Sequence, residues 1–451
     1  MLIRFAVENY KSFKDQQIFS MAAGKQTRHP SHVFTTNSGK RLLKGSFFFG
    51  ANASGKSNFV RALDFARNMV LLGSEALHHT DRYFRIDAEY KNKPGVFQID
   101  FLADQKVFSY GFAIEYLTHN ICGEWLYRVE TSGKEICIFE RDPNDNIKTE
   151  LKLNNKSQIR FSIYCEDLPA DELFLHKIGD KNLDEESGLY DLIEAFDWFK
   201  NITIIYPHSR SRNKHDFFLN RDASSESMAD LLQTFDTGIE GISKGKQTME
   251  KALSFLPDSI SKRILDSLER DRKDIQAEGS ATIAVNDRQF EVTIEDGEFI
   301  AARIMINHGN PEDLFELADE SDGTRRLFDL IPLYESGKKG KIIIVDELDR
   351  SFHSKLTEKF INLYFEITEK SPSQLICTTH DLNLMDLNIL RQDEIWFVER
   401  EKDHSSRIYS LSDYSRDLIR IFSMIIWLVD TALFLASRML NGRWILNEFT
   451  V

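Results

Sequence analysis

The sequence predicts an α/β protein that has a buried parallel sheet, an antiparallel β lobe and a helical insertion. Three observations lead to this prediction. Residues 46–60 combine a short apolar strand, a loop of small residues and an amphipathic helix. Residues 341–352, KIIIVDELDRSF, begin with an apolar run that is typical of a strand buried on both faces. From Pro311 onwards, helical and buried-strand patterns alternate, as they do in α/β folds.

The composition limits the classes of function. The 451 residues carry a formal net charge of −14, which argues against coating nucleic acid by bulk charge but is compatible with a local basic patch. The N-terminal MLIRFAVENYKSF has neither the apolar segment nor the cleavage site of a signal peptide, so we expect a cytoplasmic protein without a membrane partner. The cysteines are widely separated, as expected of reduced thiols rather than disulfides or a zinc site: Cys122, Cys137, Cys165 and Cys377.

The first segment, residues 1–165, is rich in strand patterns. The opening residues alternate apolar and polar side chains, and residues 85–165 contain several further alternating runs. Short turn sequences, such as Thr131-Ser132-Gly133, separate these runs. This arrangement predicts antiparallel hairpins.

Three further segments follow. Residues 166–270 have mainly helical patterns around one strand, NITIIYP, and we interpret them as a helical insertion. Residues 271–412 begin with short strands and continue with the α/β alternation. Residues 413–451 form an atypical apolar tail.

The loop at residues 50–57, GANASGKS, satisfies the pattern G-x-x-x-x-G-K-[ST] between a strand and a helix. In such a loop the backbone N–H groups and the helix N-terminus bind phosphate oxygens. Lys56 would reach the β- and γ-phosphates, and the Ser57 hydroxyl would ligate Mg²⁺. The alternative, a tight strand–helix turn, leaves the Gly-Lys-Ser triplet unexplained. The candidate nucleotide-binding residues are Gly50, Asn52, Ser54, Gly55, Lys56, Ser57 and Asn58.

An acid pair ends the buried strand of residues 341–352. Charged residues are rarely buried without a function. Asp346 is our candidate for holding the water shell of Mg²⁺, and Glu347 for polarising the attacking water as a general base. The alternative is that the strand simply leaves the core at this point.

Two short motifs flank this strand. The turn Ser321-Asp322-Gly323-Thr324 begins a helical pattern and is a second candidate anion-binding site. His380 follows an apolar strand, where it can hydrogen-bond a γ-phosphate or the attacking water. A single histidine is more often structural, and both interpretations stay open on the residues alone.

The order of these motifs resembles that of ATP-binding-cassette ATPases, in the branch of the SMC, RecF and OLD proteins. More narrowly, FFFGANASGKSNF, ESDGTRRLFDL, VDELDRSFH and CTTHD resemble the RloA-type AAA-family ATPases of bacterial restriction and anti-phage loci. The resemblance covers roughly residues 1–412.

This resemblance implies an ABC-type P-loop ATPase head that uses ATP and Mg²⁺. Ser321, Gly323 and Thr324 correspond to the signature loop, which contacts the γ-phosphate of ATP held by the opposite subunit. Asp349 corresponds to the D-loop and His380 to the switch histidine. The implied assembly is a head-to-head dimer, alone or within a higher oligomer.

Other family features are missing or unassigned. We do not assign a Q-loop glutamine, because Gln98 lies in a strand pattern. The insertion at residues 166–270 is too short for a long coiled-coil arm, and no Cys-x-x-Cys hook is present. These features disfavour a chromosome-tethering role.

Three functions therefore stay open. The first is an ATPase that senses or regulates a separate effector in anti-phage defence, such as a TOPRIM nuclease of the RloB kind, or that responds to a phage protein. The second is a RecF-like repair ATPase that binds DNA directly, with the basic stretch at residues 208–221 as its contact. Such a stretch is more often a solvated loop. The third is an ATP-gated scaffold that hydrolyses ATP slowly or not at all.

The apolar tail admits three interpretations. It could be a C-terminal helix packed on a partner; a membrane span is disfavoured by Asp430 and Arg438. The third is a frameshift near Ser415. One back-translation of residues 424–432 encodes Asp-Tyr-Leu-Ala-Gly-Arg-Tyr-Gly in another frame, and proteins of the resembled type tend to end in Tyr-Leu-x-Gly-Arg-Tyr-Gly. Sequencing the locus tests this hypothesis.

Overall fold

A computed structural model describes residues 1–77, 82–179, 181–183, 188–207, 225–285 and 288–414. The chain divides into two compact units. Unit 1 comprises Met1–Pro207, Gly337–Asp349 and Phe360–Val451, and unit 2 comprises His208–Ser336 and Arg350–Lys359.

An antiparallel sheet forms one layer of unit 1. Its strands are β1 (Leu2–Glu8), β2 (Gln17–Ser20), β6 (Gly95–Ala103), β7 (Lys106–Ile114), β8 (Ile121–Val129), β9 (Glu135–Arg141) and β10 (Ile147–Lys148). Their order is β10-β9-β8-β7-β6-β1-β2. The turn of residues 131–133 joins β8 to β9, with Gly133 at φ 84°. The predicted antiparallel hairpins are confirmed. A small hairpin of β3 (Val33–Thr35) and β4 (Arg41–Leu43) accompanies this sheet.

A mostly parallel sheet forms the second layer of unit 1. Its strands are β5 (Gly45–Phe49), β11 (Ile202–Ile205), β17 (Ile342–Val345), β18 (Gln374–Thr378), β19 (Ile395–Arg400) and β20 (Ser406–Ser410). Their order is β11-β17-β18-β5-β19-β20, and only the β19–β20 pair is antiparallel. Every residue of β5, β17 and β18 is buried, as predicted for β5 and β17 from their apolar runs.

The core of unit 1 lies between the two sheets, around α1 (Lys56–Leu72). The ring of Phe59 on α1 lies 4.3 Å from that of Phe48 on β5 and 5.7 Å from that of Phe5 on β1. This packing fixes the start of α1 at the carboxyl end of β5. The other helices that lie wholly in unit 1 are α2 (Asn155–Glu166), α3 (Phe174–Gly179) and α4 (Tyr190–Lys200).

Unit 2 has its own antiparallel sheet and helices. The helices are α5 (Ser225–Gln233), α6 (Met249–Ala252), α7 (Asp258–Arg270), α8 (Arg272–Glu278) and α9 (Asp322–Leu330). The strands are β12 (Gly241–Thr248), β13 (Ala281–Val285), β14 (Arg288–Glu295), β15 (Glu298–Asn307) and β16 (Phe315–Glu316). Their order is β12-β15-β14-β13, with β16 on β15. A core that includes Met249, Leu253, Phe290 and Val292 holds them together. Two helices, α10 (Pro332–Lys338) and α11 (Ser354–Ile367), have residues in both units.

Two elements differ from the sequence prediction. The strand-rich segment was expected to reach residue 165, but α2 begins at Asn155, because the Asn154 side chain accepts a hydrogen bond from Ser157 N–H (2.9 Å) and caps a helix there. The strand β12 lies within the segment expected to be helical. Its sequence has little apolar alternation, and its pairing with β15 along its whole length sets its conformation.

Two features of the sequence lie outside the described residues. One is the basic stretch of residues 208–221, and the other is the tail from residue 415 onwards. Among the helices that the structure does describe, none combines the length and apolar character that crossing a bilayer requires.

Candidate functional site

The loop of residues 50–57 follows β5 and is tightly enclosed. A Cβ on Gly50 would lie 2.3 Å from the Val398 carbonyl oxygen, and one on Gly55 would lie 2.2 Å from Ser406 Oγ. Gly55 also has φ 114°, a conformation that favours glycine. Both glycines of the motif are therefore required by the backbone path.

Hydroxyl groups from two distant segments support this loop. Ser406 Oγ, at the start of β20, donates to the Ser54 carbonyl oxygen (2.6 Å). Ser406 N–H donates to the Ser12 carbonyl oxygen (2.7 Å), and Asn58 Nδ2 donates to Ser12 Oγ (2.8 Å). The sequence did not point to Ser12 or Ser406 as site residues. Ser12 lies in the N-terminal segment MLIRFAVENYKSF, and no pattern around Ser406 distinguishes it.

The interior of the loop fits an anionic ligand. Lys56 is buried and its Nζ donates to the carbonyl oxygens of Gly50 (2.6 Å) and Ala51 (3.1 Å). Burial lowers the pKa of Lys56, while nearby carboxylates oppose that shift. Ser54 Oγ is buried with no hydrogen-bond partner among the described residues, and Asn52 is exposed at the tip of the loop. A phosphate would supply the lysine with acceptors stronger than two neutral carbonyls.

The loop and the acid pair come together. Ser57 Oγ donates to Asp346 Oδ1 (3.1 Å), although 289 positions separate the two residues. They meet because β5 and β17 are parallel strands of one sheet with only β18 between them, so that their carboxyl ends lie at the same edge. The hydroxyl of Ser57 and the carboxylate of Asp346 are oxygen ligands of the kind Mg²⁺ prefers.

Among the described residues, no group of three or more histidine, cysteine, aspartate or glutamate side chains could hold a metal ion.

A second group of side chains lies beside Lys56 and consists of Glu347, Asp349 and His380. Glu347 Oε1 lies 4.0 Å from His380 Nε2, and His380 Nδ1 lies 3.4 Å from Lys56 Nζ. His380 N–H faces both carboxylate oxygens of Asp349 at 3.2 Å. The histidine is part of this cluster, with its side chain 38% exposed. It is therefore placed to contact a bound ligand.

The residues that resemble a signature loop lie in unit 2. Ser321 is the N-cap of α9, and its Oγ accepts a hydrogen bond from Thr324 N–H (3.1 Å). A Cβ on Gly323 would lie 3.1 Å from the Ser351 carbonyl oxygen. Ser321 and Asp322 are exposed, so the N-terminus of α9 is presented at the surface of unit 2.

Gln98 was left unassigned, and the structure agrees with the strand pattern around it. It lies in β6, and its Nε2 donates to Ser109 Oγ (3.1 Å) and Asp100 Oδ1 (3.3 Å). One further residue was missed by the sequence reasoning, Thr378, whose hydroxyl contacts Asp346.

The sheet order, the phosphate-type loop and the acid pair define a P-loop domain of the AAA/ABC ATPase type. A family model described as "AAA domain, putative AbiEii toxin, Type IV TA system" matches residues 46–162 and 170–386. The chain belongs to this family of AAA domains. No curated protein matches the chain.

Several solved structures are similar to the chain at low identity. One is an SMC head bound to the C-winged helix domain of ScpA, with 15% identity, TM-score 0.41, and coverage of 91% of this chain and 97% of that one. Another is the SMC head domain from Thermotoga maritima, with 12% identity, TM-score 0.37, and coverage of 91% and 98%. A third is the SMC head domain with an extended coiled coil, bound to the C-terminal domain of ScpA derived from Pyrococcus furiosus, with 14% identity, TM-score 0.35, and coverage of 94% and 99%.

Proposed function

We propose that the protein binds ATP with Mg²⁺ and hydrolyses it to ADP and phosphate. The observation that carries this proposal is the hydrogen bond between Ser57 and Asp346, which unites the phosphate-type loop with the acid pair. Bound Mg²⁺ would neutralise charge on the phosphates. Lys56 would bind phosphate oxygens, Ser57 and Asp346 would hold the ion, and Glu347 would accept a proton from the attacking water. His380 would hydrogen-bond the γ-phosphate or that water.

Turnover measurements test this proposal. Wild-type protein should release phosphate from Mg-ATP, K56A should lose nucleotide binding, and E347Q should retain binding but lose turnover. The exposed Glu89 offers a matched control, because E89Q removes a carboxylate outside the site. Turnover in E347Q equal to that of wild type would exclude Glu347 as the general base. Binding without measurable turnover in the wild type would favour the ATP-gated scaffold.

We further propose that ATP binding drives head-to-head dimerisation. The exposed N-terminus of α9, with Ser321, Gly323 and Thr324, would contact the γ-phosphate of ATP bound by the partner subunit. In light scattering with Mg-ATP, E347Q should then be dimeric, or form a higher oligomer of dimers, and the double variant E347Q/S321A should be less so. A monomer at every nucleotide concentration would refute this assembly.

For the biological role, we propose a cytoplasmic sensor or regulator that controls a separate effector in anti-phage defence. The support is the resemblance to RloA-type ATPases and the family description, which names a toxin and a type IV TA system. The expected partner is a TOPRIM nuclease of the RloB kind encoded nearby, and a phage protein is an expected trigger. Co-purification of genomic neighbours with and without ATP tests this role.

Direct DNA binding in the manner of RecF is the alternative. Its candidate contact, the stretch of residues 208–221, lies outside the described residues. Salt-dependent DNA binding that is lost in an R210E/R212E variant would favour this alternative over the regulatory role.

A further inference from the structure

The buried hydroxyl of Thr378 contacts both acids of the candidate site. Thr378 ends β18, the strand between β5 and β17, and is 1% exposed. Its Oγ1 donates to Asp346 Oδ1 (2.6 Å) and accepts a hydrogen bond from Glu347 N–H (2.8 Å). One side chain is therefore bonded to the carboxylate of the first acid and to the backbone of the second.

The backbone at Glu347 needs such support. Glu347 has φ 54°, in the left-handed region that residues other than glycine rarely adopt. Two hydrogen bonds to Thr378 enclose it, because Leu348 N–H donates to the Thr378 carbonyl oxygen (3.0 Å) while Glu347 N–H bonds the hydroxyl. The turn that aims the Glu347 side chain is thus fixed to the end of β18.

The same hydroxyl restrains Asp346. Oδ1 of this buried carboxylate accepts from both Thr378 Oγ1 and Ser57 Oγ. The threonine has a single hydroxyl proton, and its use on Asp346 leaves the oxygen to accept from Glu347 N–H. One hydroxyl group can therefore make both bonds at the same time, with its proton directed at Asp346.

We propose that Thr378 is a positioning residue for ATP hydrolysis, which holds Asp346 and Glu347 in a fixed mutual geometry. This inference rests on the proposed hydrolysis at the same site. Thr378 lies outside the loop of residues 50–57. Its hydroxyl should therefore affect the rate of hydrolysis much more than the affinity for nucleotide. His380, two residues further along the chain, reaches the same cluster from the end of β18.

The test compares T378V, which keeps the side-chain shape and removes the hydroxyl, with T378S, which keeps the hydroxyl. The control is T368V. Thr368 is also a fully buried threonine of unit 1, and its Oγ1 donates to the Tyr364 carbonyl oxygen (2.6 Å), away from the acids. For each protein, kcat and KM for Mg-ATP are measured, together with the Kd of a fluorescent ATP analogue and the melting temperature.

In T378V, kcat should fall by about 10- to 100-fold, the usual range for a lost outer-shell hydrogen bond to a metal ligand. The Kd should change by less than about threefold, and T378S and T368V should keep kcat within about threefold of wild type. If T378V does not fold, T378A is measured with the same expectation, and bound analogue reports its folding.

Three results would overturn the inference. The first is a kcat in T378V within threefold of wild type, the second is a loss of analogue affinity as large as the loss in kcat, and the third is a T378S variant as impaired as T378V. A wild-type protein without turnover is a different outcome, because it refutes the proposed hydrolysis itself and this inference with it.

Discussion

The candidate nucleotide loop of residues 50–57 and the turn of residues 321–324, which we call the signature-like turn, are stabilised by different kinds of hydrogen bonds. In unit 1, hydrogen bonds join side chains that are very far apart in sequence, as between Ser57 and Asp346. In unit 2, the bonds that shape the turn are local, such as Thr324 N–H to Ser321 Oγ and Arg325 to Asp322, each across three positions. The first arrangement depends on the whole sheet, and the second only on helix capping. We therefore expect substitutions in the first to affect both nucleotide binding and folding, and substitutions in the second to affect turnover with little effect on nucleotide binding.

The largest difference in nucleotide affinity between the two regions should come from replacing one glycine in each, Gly55 or Gly323, by alanine. In G55A the added Cβ meets Ser406 Oγ at 2.2 Å at a φ of 114°, and the loop must move. Affinity for a fluorescent ATP analogue should fall by at least about 100-fold, because the backbone N–H groups that would bind the phosphates move with the loop. Gly323 in unit 2 has no positive φ, and its nearest contact would be 3.1 Å, so G323A should bind the analogue as wild type does.

Equal losses of affinity in G55A and G323A would contradict this comparison, since the turn would then contribute to binding within one chain. Wild-type affinity in G55A would show that residues 50–57 are not the phosphate loop.

Part of this organisation was predictable from sequence. The loop of residues 50–57 and the acids Asp346 and Glu347 are local motifs, and the rule that parallel strands end at one edge predicts that they meet. The supporting hydroxyls of Ser406 and Thr378 were not predictable, because they depend on the register of β20 and β18 against the loop and the acids. The strand β12 was missed for a related reason, since its partner β15, rather than its own pattern, determines its conformation.

A buried carboxyl group should give unit 1 a strong pH dependence. Glu124 accepts hydrogen bonds from Tyr110 Oη (2.9 Å) and from the N–H groups of Phe174 (2.6 Å) and Leu175 (3.0 Å) at the start of α3. Burial, the dominant influence, raises the pKa of Glu124 from 4.5 to about 7. A raised pKa contributes stability that is complete below pH 4.5 and is lost as the pH rises through 7.

Denaturant unfolding between pH 4.5 and 8 should therefore show a loss on the order of 3 kcal/mol that E124Q lacks. The exposed Glu130 gives the control E130Q, which should keep the wild-type slope. An identical pH profile in E124Q and wild type would show that Glu124 does not titrate in this range.

Replacing one supporting serine in each region should change analogue binding less than the glycine substitutions do. S406A removes the hydrogen bond to the Ser54 carbonyl oxygen and should weaken analogue binding by about five- to tenfold, the value of roughly 1 kcal/mol for one hydrogen bond. S321A removes the N-cap of α9 and should leave analogue binding within about twofold of wild type, while it lowers turnover. Ser405, whose hydroxyl bonds Asp403, provides the control S405A. A loss of affinity in S321A equal to that in S406A would remove the distinction between the two regions.

The smallest expected effect is a pH-dependent contribution to stability from His308, which lies next to the signature-like turn. His308 Nδ1 faces the Gly238 carbonyl oxygen (3.0 Å), and Nε2 faces Glu320 Oε1 (2.6 Å), one residue before Ser321. Both partners are acceptors, and only the protonated ring can donate to both of them at once. The bond to Glu320 raises the pKa of His308, with Glu240 adding to the shift. This stabilisation is therefore present below pH 6.5 and is lost as the pH rises through the raised value.

Because the His308 side chain is 28% exposed, the effect on global stability should be small, and NMR titration of the ring is the sensitive measurement. The pKa measured for His308 should exceed that of a free histidine, and E320Q should bring it back towards the ordinary value. This titration should leave analogue binding unchanged, because its groups belong to unit 2. A His308 pKa below 6.5 would show that Glu320 does not stabilise the protonated ring.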